Sequence, residues 1–124
     1  MNSFKKPEQE NVENTMIDVI YKNLGCQDPL TRRFIAATLV MVRVFDHKQR
    51  RYGPGNIAAF GEQGVLVRVH DKLARLVNLW RTGQEPADET KDDSWGDLAT
   101  YAVIALMCRW GWWPQVEPAK KVPS

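Results

Sequence analysis

A chain of 124 residues, 44% hydrophobic and 26% charged, can bury one sizeable core and has the balance of a globular protein rather than a disordered or fibrous one. Its 17 basic and 15 acidic residues leave a net charge of +2, too little for a protein whose affinity comes from neutralising many phosphates, so strong nucleic-acid binding is not expected. Cys26 and Cys108 stand far apart without CxxC or Cys/His spacing, which signals neither a zinc site nor a disulfide framework and fits a reducing, cytoplasmic setting.

Residues 1–11 are polar, carry Lys5, Lys6, Glu8 and Glu10, and lack the apolar run of a signal peptide, so they read as a flexible leader. Apolar positions Val12, Met16, Val19, Ile20 and Leu24 recur at helical spacing, with Gly25 as the stop, predicting a first helix. Asp28–Pro29 is a helix-start pair: the carboxylate accepts from free N–H groups, and proline lacks a donor where none is needed. A second helix is expected from Pro29 towards Gln49, although Thr38, Val40, Val42 and Val44 would also suit a strand. Its apolar run from Phe34 to Phe45 is broken by Thr38 and Arg43 and is too short to cross a bilayer, so no membrane partner is expected.

Tyr52–Gly53–Pro54–Gly55–Asn56, then Gly61 and Gly64, predict a structured loop over Arg51 to Gly64 with one short helical turn. From Val65 to Arg81, Leu66, Val69, Leu73, Leu76 and Trp80 alternate at threes and fours, which predicts one buried stripe on a third helix ended by Gly83. The acidic linker from Gln84 to Asp92, including Asp88 and Glu89, suits the positive end of a fourth helix reaching Arg109. Apolar residues from Leu98 to Met107 surround that helix's axis, as for the central member of a bundle. The stretch 114–124, with Pro114, Pro118 and Pro123, reads as a flexible tail. The expected fold is therefore all-α: one domain over 12–113, a small bundle of about four main helices, expected to form homo-oligomers that cover apolar faces.

The chemistry-bearing residues fall in two clusters, one on each of the last two helices. Arg68, Asp71, Lys72, Arg75 and Asn78 form a mainly cationic strip beside the apolar stripe, and arginine forks with a lysine point charge suit a phosphate. Glu89, Asp93 and Asp97, with Tyr101 one turn on, form the acidic counterpart. Asp97 precedes an apolar run, where an ionised carboxylate needs a partner. The candidates are a magnesium ion shared with Asp93, or an arginine such as Arg75 or Arg43; alternatively, Asp93 and Asp97 are a helix-start charge and one internal ion pair. Tyr52 in its glycine-flanked turn can lay a ring over a base. His47 and His70 lack metal spacing, and Trp110, Trp112 and Trp113 suit a core lid or a subunit contact. No Walker loop, GxSxG or Cys/His signature is present.

In order along the chain, Tyr52–Gly53–Pro54, Asn56–Ile57, Gly61–Glu62, Gly64–Val65–Leu66–Val67–Arg68, Asp71–Lys72, Arg75–Leu76, Asn78–Leu79, Glu89, Asp93, Asp97–Leu98–Ala99 and Tyr101 closely resemble the nucleotide modification associated domain 1 family. The resemblance spans about Asp46 to Leu106. That family occurs largely in bacteriophages and bacteria, and its helical arrangement resembles that of MazG-like nucleotide pyrophosphohydrolases. Two positions depart from the pattern: Arg51 stands where an acidic residue commonly precedes Tyr–Gly, and the second helix lacks paired ExxE carboxylates.

The resemblance implies a phage-encoded protein that works on a nucleotide in the host cytoplasm. As a magnesium-dependent nucleoside triphosphate pyrophosphohydrolase, it would use Asp93 and Asp97 for the metal and Asp71 and Glu89 for catalysis. Tyr52, Arg68, Lys72, Arg75, Asn78 and Tyr101 would then bind the ligand. The alternative is a non-catalytic binder that sequesters a nucleotide or a nucleotide immune signal.

Overall fold

Four helices make up the secondary structure of the described residues, and no strand occurs among them, so the chain is all-α. A computed structural model describes residues 4–7, 14–87 and 89–115; most of the expected leader and tail, with Val12 and Asp88, lie outside them. The helices are α1 (Thr15–Asn23), α2 (Leu30–Tyr52), α3 (Gly55–Thr82) and α4 (Lys91–Arg109). The chain divides into two compact units, Met1–His47 and Lys48–Ser124, with the boundary inside α2. No helix among the described residues is long and apolar enough to cross a membrane.

In the first unit, the Asn14 side chain caps α1 by accepting from Met16 N–H at 2.7 Å. Gly25, at φ 71°, ends the helix while Cys26 N–H reaches back to the Tyr21 carbonyl at 3.0 Å, a left-handed termination that glycine adopts without strain. Asp28 accepts from Leu30 N–H at 2.8 Å and starts α2 as expected. The β-branched run is helical throughout, and Thr38 turns its hydroxyl to the Ile35 carbonyl at 2.8 Å. Ile17, Tyr21, Ile35 and Ala36 form the unit's core, and Arg32 pairs with Asp18 while lying 4.1 Å over the Tyr21 ring.

In the second unit, α2 stops at Gly53, whose φ is 71° and whose N–H donates to the Gln49 carbonyl at 2.9 Å. Beyond Pro54 the chain does not form the loop expected over Arg51 to Gly64. Helix α3 begins at Gly55, and only Gly61, at φ 61° and ψ −150°, leaves helical geometry. That conformation is essentially restricted to glycine, and it kinks α3 after its first six residues. Gly64 lies within the helix beyond the kink, where a Cβ would stand 2.5 Å from the Phe60 Cβ. The two glycines that read as loop punctuation are thus the means by which one helix bends sharply over itself.

Helices α3 and α4 form the principal helix–helix packing. Val65, Leu76 and Leu79 of α3 and Ile104 and Ser94 of α4 are buried. The stripe expected to be buried is so only in part: Leu76 is buried, whereas Leu66 and Trp80 are each 68% exposed and Leu73 is half exposed. The packed face of α3 lies roughly 90° around the helix from Leu66, Leu73 and Trp80, at 3.6 residues per turn. Likewise α4 is covered on one side only, and Trp95, Val103 and Leu106 face outward. At the end of α4, Gly111 at φ 72° turns the chain so that Trp113, 5% exposed, donates its indole N–H to the Pro54 carbonyl at 3.1 Å. Trp113 is the core lid of this unit, whereas Trp110 and Trp112 stay exposed in an edge-on pair with centroids 5.0 Å apart.

Candidate functional site

The start of α4 positions the acidic cluster. Thr90 is the N-cap: its hydroxyl accepts from Asp93 N–H at 3.1 Å, and the Asp93 carboxylate accepts from Thr90 N–H at 3.2 Å. This reciprocal capping box satisfies two donors that a helix start otherwise leaves unpaired. Glu89 immediately precedes the cap, and Asp97 lies one turn beyond Asp93 on α4.

Across from them stands the basic strip of α3. The Lys72 ammonium lies 2.7 Å from Glu89 Oε1 and 2.9 Å from Asp97 Oδ2, bridging the two carboxylates. Arg75 pairs with the other oxygen of Glu89, and Lys48, near the end of α2, lies 3.1 Å from Asp97 Oδ1. The Asp97 side chain is only 13% exposed, so its charge is poorly screened by water and depends on these partners. Three cations, Lys48, Lys72 and Arg75, face two carboxylates, Glu89 and Asp97, which leaves the cluster with one net positive charge.

One turn before Lys72 on α3, Arg68 helps line an open groove of about 330 Å³ at the kink, together with Asn56, Ile57, Phe60, Gly64, Val65 and Val67. Gly64, Arg68 and Lys72 follow at intervals of four, so the groove and the ion cluster run along neighbouring parts of one helix face. The combination is an apolar, aromatic-walled recess followed by a positively biased seat.

The structure therefore brings Lys72, Arg75, Glu89 and Asp97 together and sets Arg68 beside them. It does not bring in the remaining residues in the same way. Asp71 is exposed and outside the ion cluster. Asn78 is exposed and accepts from Arg81 at 3.5 Å. Tyr52 is exposed at the end of α2, with the Arg51 guanidinium 5.5 Å from its ring centroid. Tyr101 is half-buried on α4. Arg43 is exposed and lines a small cavity of the first unit with Asn14, Ile17 and Leu39. The partners of Asp97 are lysines rather than either arginine considered for it.

A magnesium pair does not fit this donor set. Asp93 Oδ2 takes both the Thr90 N–H and, at 3.1 Å, the Thr90 hydroxyl, and each oxygen of Asp97 faces an ammonium. Among the described residues no group of three or more His, Cys, Asp or Glu side chains can hold a metal ion. Asp93 and Asp97 take the other arrangement open to them, a helix-start charge and an internal ion pair.

Lys48 was not among the expected site residues; it lies in a run of cations ending α2, and nothing in its spacing points to Asp97. The recess at Phe60 was equally invisible, because it exists only through the Gly61 kink. Thr90, by contrast, carries a readable signal in Thr90-x-x-Asp93. Cys26 and Cys108 are free thiols, and burial, with a smaller contribution from the Glu62 charge, raises the Cys108 pKa. No family model, curated protein or solved structure matches the chain.

Proposed function

We propose that the second unit is a nucleotide-binding module that holds phosphate by charge pairing with α3 and needs no metal to do so. The observation that carries the reading is the Lys72 ammonium shared between Glu89 at 2.7 Å and Asp97 at 2.9 Å, with Arg75 on the far oxygen of Glu89. Here a carboxylate occupies what a phosphate can occupy. Glu89 belongs to the segment before α4 rather than to a helix, so it can swing aside with less disruption than Asp97. An incoming phosphate brings more negative charge and more acceptor oxygens than the carboxylate it replaces, and arginine and lysine serve it as fork and point charge.

The groove beside Arg68 supplies the other half of the ligand's needs. Phe60 and the aliphatic wall suit the faces of a base, and Asn56 offers an amide to its edge. The ordered motifs from Tyr52 to Tyr101, with their resemblance to the nucleotide modification associated domain 1 family, support the same ligand class. Capture is favoured over hydrolysis because the carboxylates that a magnesium-dependent pyrophosphohydrolase would need are engaged in the helix cap and the lysine pairs. Sequestering a nucleotide immune signal, with no turnover, is a use consistent with a phage product.

Incubating the protein with a library of canonical, deoxy and modified nucleotides, with and without magnesium, and identifying bound and released species by mass spectrometry tests the reading. A phosphorylated nucleotide retained without magnesium and released intact is the expected result. Retention of none of them rejects nucleotide binding, and magnesium-dependent release of pyrophosphate rejects metal-free capture.

A further inference from the structure

Helix α3 carries a second apolar face that the described residues leave largely uncovered. Leu66, Leu73, Val77 and Trp80 are exposed and fall within about 60° of one another around the helix at 3.6 residues per turn, along about 21 Å of its length. With His70 they keep the alternation of four and three that defines a coiled-coil seam. Helix α4 has the same device: Trp95, Ala99, Ala102 and Leu106 are exposed at steps of four, three and four.

Both seams lie on the same side of the α3–α4 hairpin. At one end the Lys91 ammonium, on the flank of the α4 seam, sits 4.1 Å over the ring of Trp80 in the α3 seam. At the other end Arg109, on that same flank of α4, pairs at 3.3 Å with Glu62, on the flank of α3. Between these ends the two seams carry no Lys, Arg, Asp or Glu side chain.

We infer that this side of the hairpin is a homodimer interface, covered by the same side of a second copy. Size is the first argument. The two tryptophans and four larger aliphatic side chains of the seams, Trp80, Trp95, Leu66, Leu73, Val77 and Leu106, are each between 44% and 68% exposed. Together with Ala99 and Ala102 they leave on the order of 700 Å² of apolar surface in water, taking about 150–250 Å² for a large aromatic side chain. The largest apolar patch of an ordinary monomer is about 300–600 Å², and a stable interface needs about 800 Å² from each partner.

Complementarity is the second argument, and it selects a copy of this chain as the occupant. A two-fold axis parallel to the helices lays α3 of each copy on α4 of the other with matching ends together. Glu62 of each copy then faces Arg109 of the other, and Trp80 faces Lys91. At mid-length the bulky Leu73 meets the small Ala99, and Leu66 meets Leu106, so apolar side chains oppose apolar side chains along the contact. A membrane surface would favour a cationic rim, whereas this rim carries both signs. The interface is on the opposite side of α3 from Arg68 and Arg75, so it stands whether or not the nucleotide reading does.

Sedimentation velocity on the full chain over a concentration series tests the inference. Wild-type protein is expected to run as a species of twice its 14.2 kDa mass. The Leu73→Glu/Val77→Glu protein and, separately, the Ala99→Arg protein are expected to weaken the dimer at least tenfold while keeping their helical circular dichroism. Ala99→Arg keeps a strong helix former at an exposed position, so the test does not depend on the double variant folding. Phe34→Glu, an exposed change in the first unit, is expected to leave the dimer intact. A wild-type monomer at roughly 100 μM, where even weak interfaces associate, overturns the inference. So does a dimer that survives both seam variants, or one that Phe34→Glu dissolves.

Discussion

The two sides of the α3–α4 hairpin treat their side chains in opposite ways. On one side, Lys72, Arg75, Glu89 and Asp97 pair ion with ion, so that nearly every charge has a partner inside the chain. On the other side, Leu66, Leu73 and Trp95 stand largely in water, and no described residue covers them. The polar side is self-satisfied, and on the proposed reading it opens only to a ligand that out-competes a carboxylate. The apolar side is left exposed, and the proposed dimer is what would complete it. A helix that must serve both cannot spend its apolar residues on one stripe, and the core face of α3 at Val65, Leu76 and Leu79 sits between the two.

The seam common to both sides should give the largest effect when broken. Leu76 is 2% exposed, and Leu76→Ala is expected to lower stability by about 2–5 kcal/mol, from lost burial plus the cavity left behind. Denaturant unfolding followed by circular dichroism reads this directly. A loss below about 1 kcal/mol would mean that the hairpin is not held by that seam.

Removing the bridging cation comes next. In Lys72→Met, Glu89 keeps Arg75 and Asp97 keeps Lys48, so the expected loss is about 1–2 kcal/mol rather than the larger penalty of a fully buried unpaired charge. The same denaturation experiment at low and high salt separates the two: a charge effect shrinks with salt, and a packing effect does not.

Smaller effects are expected at the start of α4. Thr90→Ala removes the capping hydroxyl and should cost about 1 kcal/mol, with Glu89 losing its fixed approach to Lys72 at the same time. Ser94 is fully buried and its hydroxyl has no hydrogen-bond partner among the described residues. Ser94→Ala is therefore expected to be neutral or stabilising by up to about 1 kcal/mol, because it removes a polar group that burial penalises. A clear destabilisation there would mean the hydroxyl has a partner, such as an ordered water.

Much of this architecture is readable from local chemistry. Gly25, Asp28–Pro29, Gly53–Pro54 and Gly83 mark real helix ends, because capping and left-handed turns are decided within a few residues. Gly61 and Gly64 mislead for the same reason: a glycine permits a break without saying whether the helix resumes, and here it resumes at once. Periodicity gives α3 an apolar face through Leu66, Leu73 and Trp80, but it does not say what covers that face, and among the described residues it stays largely exposed. For the site, the need of Asp97 for a partner follows from its apolar surroundings. Its choice of Lys48 and Lys72 does not, because residues 49 and 25 positions away meet it only through tertiary packing. Asp93 was ambiguous because a carboxylate at the third position of a helix suits a cap and a metal equally well, and only the position of Thr90 decides between them.

The most direct test of the phosphate seat is calorimetric titration of a nucleoside triphosphate into wild-type and Arg75→Gln proteins, each with and without EDTA. Arg75 is more than half exposed, so the substitution spares the fold. Saturable wild-type binding that EDTA leaves unchanged and that Arg75→Gln weakens at least tenfold, about 1.4 kcal/mol, is the predicted result. Binding that EDTA abolishes, or that Arg75→Gln leaves untouched, contradicts a metal-free seat built on α3.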